Sequence, residues 1–249
     1  MKIISLNIWG GHLKRKLLDF VKKHKDVDVL CLQEVYYKAQ ARITDETREL
    51  SLDILSEIHD LLPGFQLFFS PVVNNVYGLA TLFRSNIAVK DQGEVEIHHN
   101  PTYPGIGPTH SRVLQYVTCT LDDQLVTIAN IHGLWNGKGK GDSPERIQQS
   151  TNIKSFADSI NHSLVLCGDF NLTPTSKSFQ ILSDNMQNCI SRYNITSTRT
   201  SYYTKEERYA DYMLLSKELQ INEFKVLADE VSDHSPLLLD FQVAKDLVL

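Results

Sequence analysis

The chain has 249 residues, of which 22% are charged and 42% hydrophobic, and its net charge at pH 7 is −5. That is an ordinary globular balance, and it excludes a disordered, collagenous or coiled-coil chain. No run approaches ~18 uninterrupted apolar residues, so no transmembrane helix is predicted, and the opening Met1–Asn7 meets polar residues too early for a signal-peptide core.

In chain order, a strand over 3–8 leads into an amphipathic helix over 13–24, with Leu13, Leu17, Phe20 and Val21 on one face. Lys14-Arg15-Lys16 and Lys22-Lys23 then form its solvated face rather than a nucleic-acid patch. A strand over 27–32 follows. A helix over 44–62 presents Leu50, Ile54, Leu55, Ile58, Leu61 and Leu62, and Pro63-Gly64 stops it. Strands over 65–69 and 78–83 come next, then a hairpin of 113–121 and 125–131 turning at Asp122-Asp123-Gln124. Ser143 caps a helix that has Pro144 at its first position and runs to about Ile160. A strand over 164–167, a short helix over 175–182 and strands over 212–215, 224–227 and 237–241 complete the chain.

Ten strands are too many for one comfortable sheet. Hairpin neighbours mixed with helix-separated strands predict an α/β chain of two packed mixed sheets flanked by helices, in one domain over 1–249. Cys31, Cys119, Cys167 and Cys189 fit no zinc spacing and read as buried, reduced thiols of a cytoplasmic protein. A monomer is favoured.

Polar residues recur where apolar strands end. Asn7, Glu34, His132, Asp169 and Asn171 follow strands, Asp211 opens one, and Asp233-His234 precede the last. Any one of them is an ordinary turn residue. Together they are carboxylates, carboxamides and imidazoles, the donor types that suit a hard cation such as Mg²⁺ or Mn²⁺ beside a phosphoester. Glu34 can hold such an ion, Asp169 can serve as a base toward water, and Asn7, Asn171, His132 and His234 can donate to phosphoryl oxygens.

The set Asn7, Gln33-Glu34, Asn130-Ile131-His132, Gly168-Asp169-Phe170-Asn171, Asp211-Tyr212 and Ser232-Asp233-His234-Ser235-Pro236 resembles the endonuclease/exonuclease/phosphatase superfamily in content and order, over residues 3 to 241. Gly78–Phe83 also looks like the family's central strand. The resemblance implies a DNase I-like, four-layer αββα sandwich and Mg²⁺- or Mn²⁺-dependent phosphoester hydrolysis. It implies that Glu34 holds the metal with Asn7 in support, that Asp169 activates water, that Asn171 positions the phosphate, and that His132 and His234 contact phosphoryl oxygens. By the same resemblance Asp211 orients an imidazole, His132 or His234, and Asp233 is a second metal contact or a turn residue.

Departures narrow the substrate. Tyr209-Ala210-Asp211-Tyr212 lacks the Trp-Cys-Asp-Arg of inositol polyphosphate 5-phosphatases, and Leu172-Thr173-Pro174 lacks the continuation typical of abasic-site endonucleases. A phosphodiester in a nucleic acid or nucleotide derivative is the first expectation. A phosphomonoester, phospholipid or sugar phosphate is the alternative, and a catalytically inactive binding protein the remote one. Lys138 and Lys140 in the Gly137–Gly141 loop, with Trp135 before it and Arg146 beginning the next helix, are candidate substrate contacts, against a plain mobile loop. Arg112, Arg199 and Tyr203 are further candidates and Arg192 a weaker one, against surface ion pairing or ordinary loop packing. His98-His99 and His110 read as edge-strand or loop histidines.

Overall fold

The structure is a computed structural model that describes residues 1–40, 51–105 and 107–244. Its elements in chain order are β1 (Lys2–Asn7), α1 (Lys14–Lys23), β2 (Val29–Tyr36), α2 (Ile54–Asp60), β3 (Phe65–Val73), β4 (Tyr77–Arg84), β5 (Val89–His98), β6 (Arg112–Leu121), β7 (Gln124–His132), α3 (Pro144–Ser159), β8 (Ser163–Asp169), α4 (Lys177–Ser183), β9 (Gln187–Asn188), α5 (Cys189–Arg192), β10 (Asp211–Leu215), β11 (Leu219–Val226) and β12 (Leu237–Val243). They form two six-stranded mixed sheets, ordered β11-β12-β1-β2-β4-β3 and β5-β6-β7-β8-β10-β9. Helices flank the pair, which is the expected αββα sandwich. Among the described residues no helix is long and apolar enough to cross a membrane.

Each sheet contains one parallel pair at its centre. β1 pairs with β2 so that Asn7 lies opposite Gln33, and β7 pairs with β8 so that His132 lies opposite Asp169. Parallel neighbours need a crossover, which contains α1 in the first case and α3 in the second. The carboxyl ends of central parallel strands are where an α/β sheet leaves room for a ligand. Here both sheets bring such ends to one edge of the sandwich.

Burial follows the strand alternation. Ile3, Val29, Cys31 and Phe83 pack between the sheets with Val117, Ile128, Val165 and Cys167. Ile4, Leu6, Leu30 and Leu32 point the other way, onto Leu17, Phe20 and Val21 of α1 and Ile54, Leu55 and Ile58 of α2. Both faces of β1 and β2 are covered, so these strands read as continuous apolar runs. A polar bridge also crosses between the sheets. Gln33 Nε2 donates to Asn130 Oδ1 at 2.7 Å, Asn130 Nδ2 donates to the carbonyls of Leu32 and Ala80 at 3.1 and 3.2 Å, and Thr81 Oγ1 donates to Gln115 Oε1 at 2.6 Å. Such a buried network fixes how one sheet sits on the other.

The hairpin turn is as expected, with Asp122 and Asp123 both at positive φ and Leu121 paired to Gln124. Three expectations are corrected. β2 continues past residue 32 to Tyr36, through a bulge between Leu32 and Val35. β5 was not expected at all: its Val89–His98 sequence is strongly charged because it is an edge strand, where charge blocks further pairing. The helix expected over 44–62 is, in its described part, confined to Ile54–Asp60, and its residues 44–50 lie outside the described residues.

Candidate active site

Local backbone geometry decides where the key side chains point. Glu34 sits in the β2 bulge at φ 58°, so it leaves the alternation of its strand and turns to the sheet edge. Asn171 has φ 53° and Trp9 φ 51°. Of the ten described non-glycine residues with positive φ, only Trp9, Glu34 and Lys38 are neither Asn nor Asp, and the first two line one cavity. Backbone of this kind costs roughly 1–3 kcal/mol per residue and persists where the surroundings over-determine it. Gly168 lies at φ +133°, and a Cβ there would stand 2.0 Å from the Ile131 carbonyl oxygen. The glycine before Asp169 is therefore required by the close approach of β7 and β8.

The cavity encloses about 600 Å³ at the edge where the two parallel pairs end. Asp169 forms its floor. Asn7 Nδ2 donates to Asp169 Oδ2 and to Glu34 Oε1, both at 3.0 Å, while Asn7 Oδ1 accepts from the Trp9 N–H. Asp169 Oδ1 accepts from the Asn171 N–H at 2.9 Å, and Asn171 Nδ2 donates to the Gly133 carbonyl. His132 Nε2 lies 3.7 Å from Glu34 Oε1 and 3.8 Å from Asp169 Oδ2. His234 Nε2 lies 3.6 Å from Asp169 Oδ2. His234 Nδ1 bonds both Asp211 oxygens, at 2.8 and 2.9 Å, and Thr198 Oγ1 holds Asp211 from behind. The imidazole that Asp211 orients is therefore His234. Asp233 pairs with Arg199 at 3.4 Å and stands 3.9 Å from His234 Nε2.

Burial and charge split the titrating groups. Burial raises the Glu34 carboxyl, with the Asn7 hydrogen bond working against it and the Asp233 and Asp169 charges adding to it. Burial also pushes Asp169 up, but His234, Lys140, His132 and Arg199 outweigh it and hold that carboxyl below the usual range. Burial and the Arg112 charge drive His132 well below its ordinary value, so it is neutral. For His234, burial and Arg199 favour the neutral form, but Asp211 and Asp169 prevail and raise it. The site thus holds one neutral and one readily charged imidazole, and divergent pairs of this kind suit separate acid–base roles.

The His234 shift makes a stability prediction. A histidine raised in the folded state contributes stability below its unfolded value, and this is lost as pH rises through the folded value. Asp211→Asn removes the raising partner. The melting temperature should therefore fall further below wild type at pH 6 than at pH 9, and a pH-independent loss would refute the pairing.

Glu34, His132 and Asp169 offer donor atoms within 4.8 Å of one another, as do Asp169, Asp211 and His234. Glu34 is suited to hold a hard cation, since it stands beside the Asp169 and Asp233 carboxylates and its side chain is 27% exposed at the cavity, against 2% for Asp169. Asn7 presents its amide nitrogen to both carboxylates, so it supports that ligand and does not itself present an oxygen to it.

Trp135, Arg199 and Tyr203 line the cavity. Lys138 and Arg146 do not. Lys138 is exposed on the loop. Arg146 is buried beneath that loop and donates to the carbonyls of Leu134, Gly139 and Gly141 and to Asn136 Oδ1. Lys140 is the loop lysine that lines the cavity. Arg112 lines it as well, and so do Trp9, Tyr36, Tyr77, Tyr103 and His110, which the sequence pattern does not mark as site residues. His110 is buried, and burial with the Arg112 charge lowers its imidazole to about 3. Arg112 Nη2 donates to the Pro108 carbonyl, and its Nε and Nη1 are buried without a hydrogen-bond partner. The signal available for Trp9 was its place two residues after Asn7. Both tryptophans of the chain line this cavity.

A profile of the Endonuclease/Exonuclease/phosphatase family matches residues 4–234. No curated protein sequence is matched at a significant level. Among solved structures, the chain is similar to a mannosyl-6-phosphatase of Bacteroides thetaiotaomicron, at 16% identity and TM-score 0.73, over 97% of this chain and 99% of that one. It is similar to the catalytic domain of human Nocturnin with bound sulfate, at 19% identity and TM-score 0.66, over 98% and 94%. It is also similar to ANGEL2, described as a 2',3'-cyclic phosphatase, at 17% identity and TM-score 0.71, over 96% and 94%. At these identities the likeness is one of fold.

Proposed function

The chain belongs to the endonuclease/exonuclease/phosphatase family, and from that premise we propose that it is a divalent-cation-dependent phosphoester hydrolase whose substrate is a small phosphoester or the end of a longer chain. The observation that carries this reading is the Asp169 carboxylate on the cavity floor, ringed by Asn7, His132 and His234 with Glu34 beside it. About 600 Å³ is the size of a small-molecule site, and the walls of residues 73–77, 103–105, 107–110 and 199–205 favour it over a groove for a continuous polymer. This moves the substrate from the interior of a nucleic acid toward the alternative of a small phosphoester.

Glu34 would hold the cation, supported by Asn7. Bound there, Mg²⁺ or Mn²⁺ would neutralise charge on the phosphoryl and leaving oxygens and lower the pKa of the attacking water. Asp169 stays ionised and accepts a hydrogen bond from that water, orienting it for in-line attack. As the water oxygen bonds to phosphorus the bond to the leaving oxygen breaks, and the proton the water sheds passes by way of Asp169 to solvent or to the departing oxygen. The depressed pKa of Asp169 makes it an orienting acceptor more than a strong base. His234, kept chargeable by Asp211, donates from Nε2 to a phosphoryl oxygen as negative charge builds. Neutral His132 donates from the opposite side, and Asn171 fixes the phosphoryl group through its short tether to Asp169.

The test is hydrolysis of p-nitrophenyl phosphate beside bis-p-nitrophenyl phosphate, each with Mg²⁺, with Mn²⁺ and with EDTA. Turnover is expected with either cation, abolished by EDTA and restored by excess Mg²⁺. Turnover that EDTA leaves untouched would overturn the reading.

A further inference from the structure

Among the described residues, four cations line the cavity, Arg112, Lys140, Arg199 and Lys205. The side chains of two of them, Lys140 and Arg199, share the Tyr203 ring and touch no group in the steps above, acting there only through the field that keeps Asp169 ionised. Lys140 is 2% exposed and lines the cavity, and its Nζ has no hydrogen-bond partner. Arg199 is also inward-facing. Its Nη1 pairs with Asp233, its guanidinium stacks 4.0 Å from the Tyr203 ring centroid, and its Nε is buried without a partner. Lys140 Nζ lies 5.7 Å from the centroid of the same ring. An unpaired buried ammonium is costly, and a second cation beside it adds repulsion. Burial lowers Lys140 to about 8, and the Arg199 charge contributes.

The loop is built to keep Lys140 there. Arg146 donates to the carbonyls of Gly139 and Gly141, the two neighbours of Lys140, at 2.7 and 2.6 Å. The Lys140 carbonyl accepts from the Thr173 N–H at 3.0 Å. A glycine-rich segment that would otherwise be free is thus tied on both sides of one buried lysine.

We propose that Lys140 and Arg199 hold a second anionic group of the substrate, a phosphoryl or carboxylate group apart from the phosphoester that is cleaved. The inference rests on the hydrolase reading for its substrate and defines that substrate as a phosphoester with two anionic groups. The reacting phosphoryl group already has His132, His234 and Asn171. Arg199 is bridged to His234 through the backbone, and Lys140 and Arg199 both stand by the Tyr203 ring, where two cations with unsatisfied donors match a tetrahedral or carboxylate anion.

Inorganic phosphate titrated calorimetrically into the full chain in EDTA at pH 7 tests the anion subsite without turnover. Lys140→Gln should weaken phosphate binding roughly tenfold or more, the scale of one charged hydrogen bond, and Lys140→Arg should restore most of it. Wild-type protein that takes up no phosphate, or Lys140→Gln that binds it as wild type does, would overturn the proposal. In a second arm, kcat/KM for adenosine 3',5'-bisphosphate should exceed that for adenosine 5'-monophosphate by about tenfold or more, and the ratio should collapse toward one in Lys140→Gln. A wild-type ratio near one counts against the two-anion substrate. If no phosphoester is turned over, the hydrolase reading fails, while the phosphate titration still decides the subsite.

Discussion

Asp169→Asn is expected to lower kcat for phosphoester hydrolysis by at least ~10³-fold with little change in KM. It is also expected to lower the melting temperature at pH 7, because the Asn7 Nδ2 hydrogen bond to Oδ2 is lost and a carboxyl held below its usual range no longer contributes to stability. The substitution is nearly isosteric. It leaves an oxygen for the Asn171 N–H, which now bonds Oδ1 at 2.9 Å, so the turn that positions Asn171 should survive. What it removes is the one full negative charge on the cavity floor that faces both imidazoles. An amide accepts a hydrogen bond from water less strongly than a carboxylate, so the attacking water loses both orientation and electrostatic drive. His234 loses one of the two charges that raise it, so the residual activity should need a lower pH to keep that imidazole protonated. Single-turnover rates across pH 5–9, with a thermal melt of each protein, would check this. A rate within tenfold of wild type in a folded variant would remove Asp169 from the chemistry.

Much of the sandwich was legible because its inner strands carry strong patterns. β1, β2, β7 and β8 are covered on both faces, and their apolar runs cannot be mistaken for loops. The β6–β7 turn announced itself through Asp122-Asp123, residues that tolerate left-handed backbone. β5 was hidden for the opposite reason. As an edge strand it needs charge more than hydrophobicity, and its composition then resembles a loop.

The candidate site divides in the same way. Asn7, His132 and Asp169 stand at strand ends because the topology brings the ends of two parallel pairs together, so chain position alone marked them. The Glu34 bulge was not legible. A strand that appears to stop at residue 32 and one that bulges and resumes to Tyr36 have the same sequence signature. Side-chain direction in loops was equally hidden. Lys138 and Lys140 are two residues apart in one glycine-rich segment, and only the Arg146 and Thr173 hydrogen bonds decide which turns inward. Aromatic lining such as Tyr77 and Tyr103 reads as core or surface until three loops close around it.

Glu34→Gln separates metal holding from folding more sharply than any other change. The variant should need at least ~10²-fold more Mg²⁺ for half-maximal activity, because a neutral amide is a poor ligand for a hard cation. Its stability should move the other way. The Glu34 carboxyl titrates above its usual value, chiefly because it is buried. A carboxyl raised in the folded state works against folding once pH exceeds that value. Removing the charge relieves that cost and the repulsion from Asp169 and Asp233, while Asn7 Nδ2 keeps an acceptor at the same place. In EDTA at pH 7 the variant should therefore melt at or above the wild-type temperature. Adding Mg²⁺ should raise the wild-type melting temperature, because a cation bound only by the folded state stabilises it by mass action, and should leave the variant nearly unmoved. Equal Mg²⁺ titration midpoints in the two proteins would deny Glu34 the ligand role. A variant that melts well below wild type in EDTA would show instead that the bulge depends on the carboxylate for its shape.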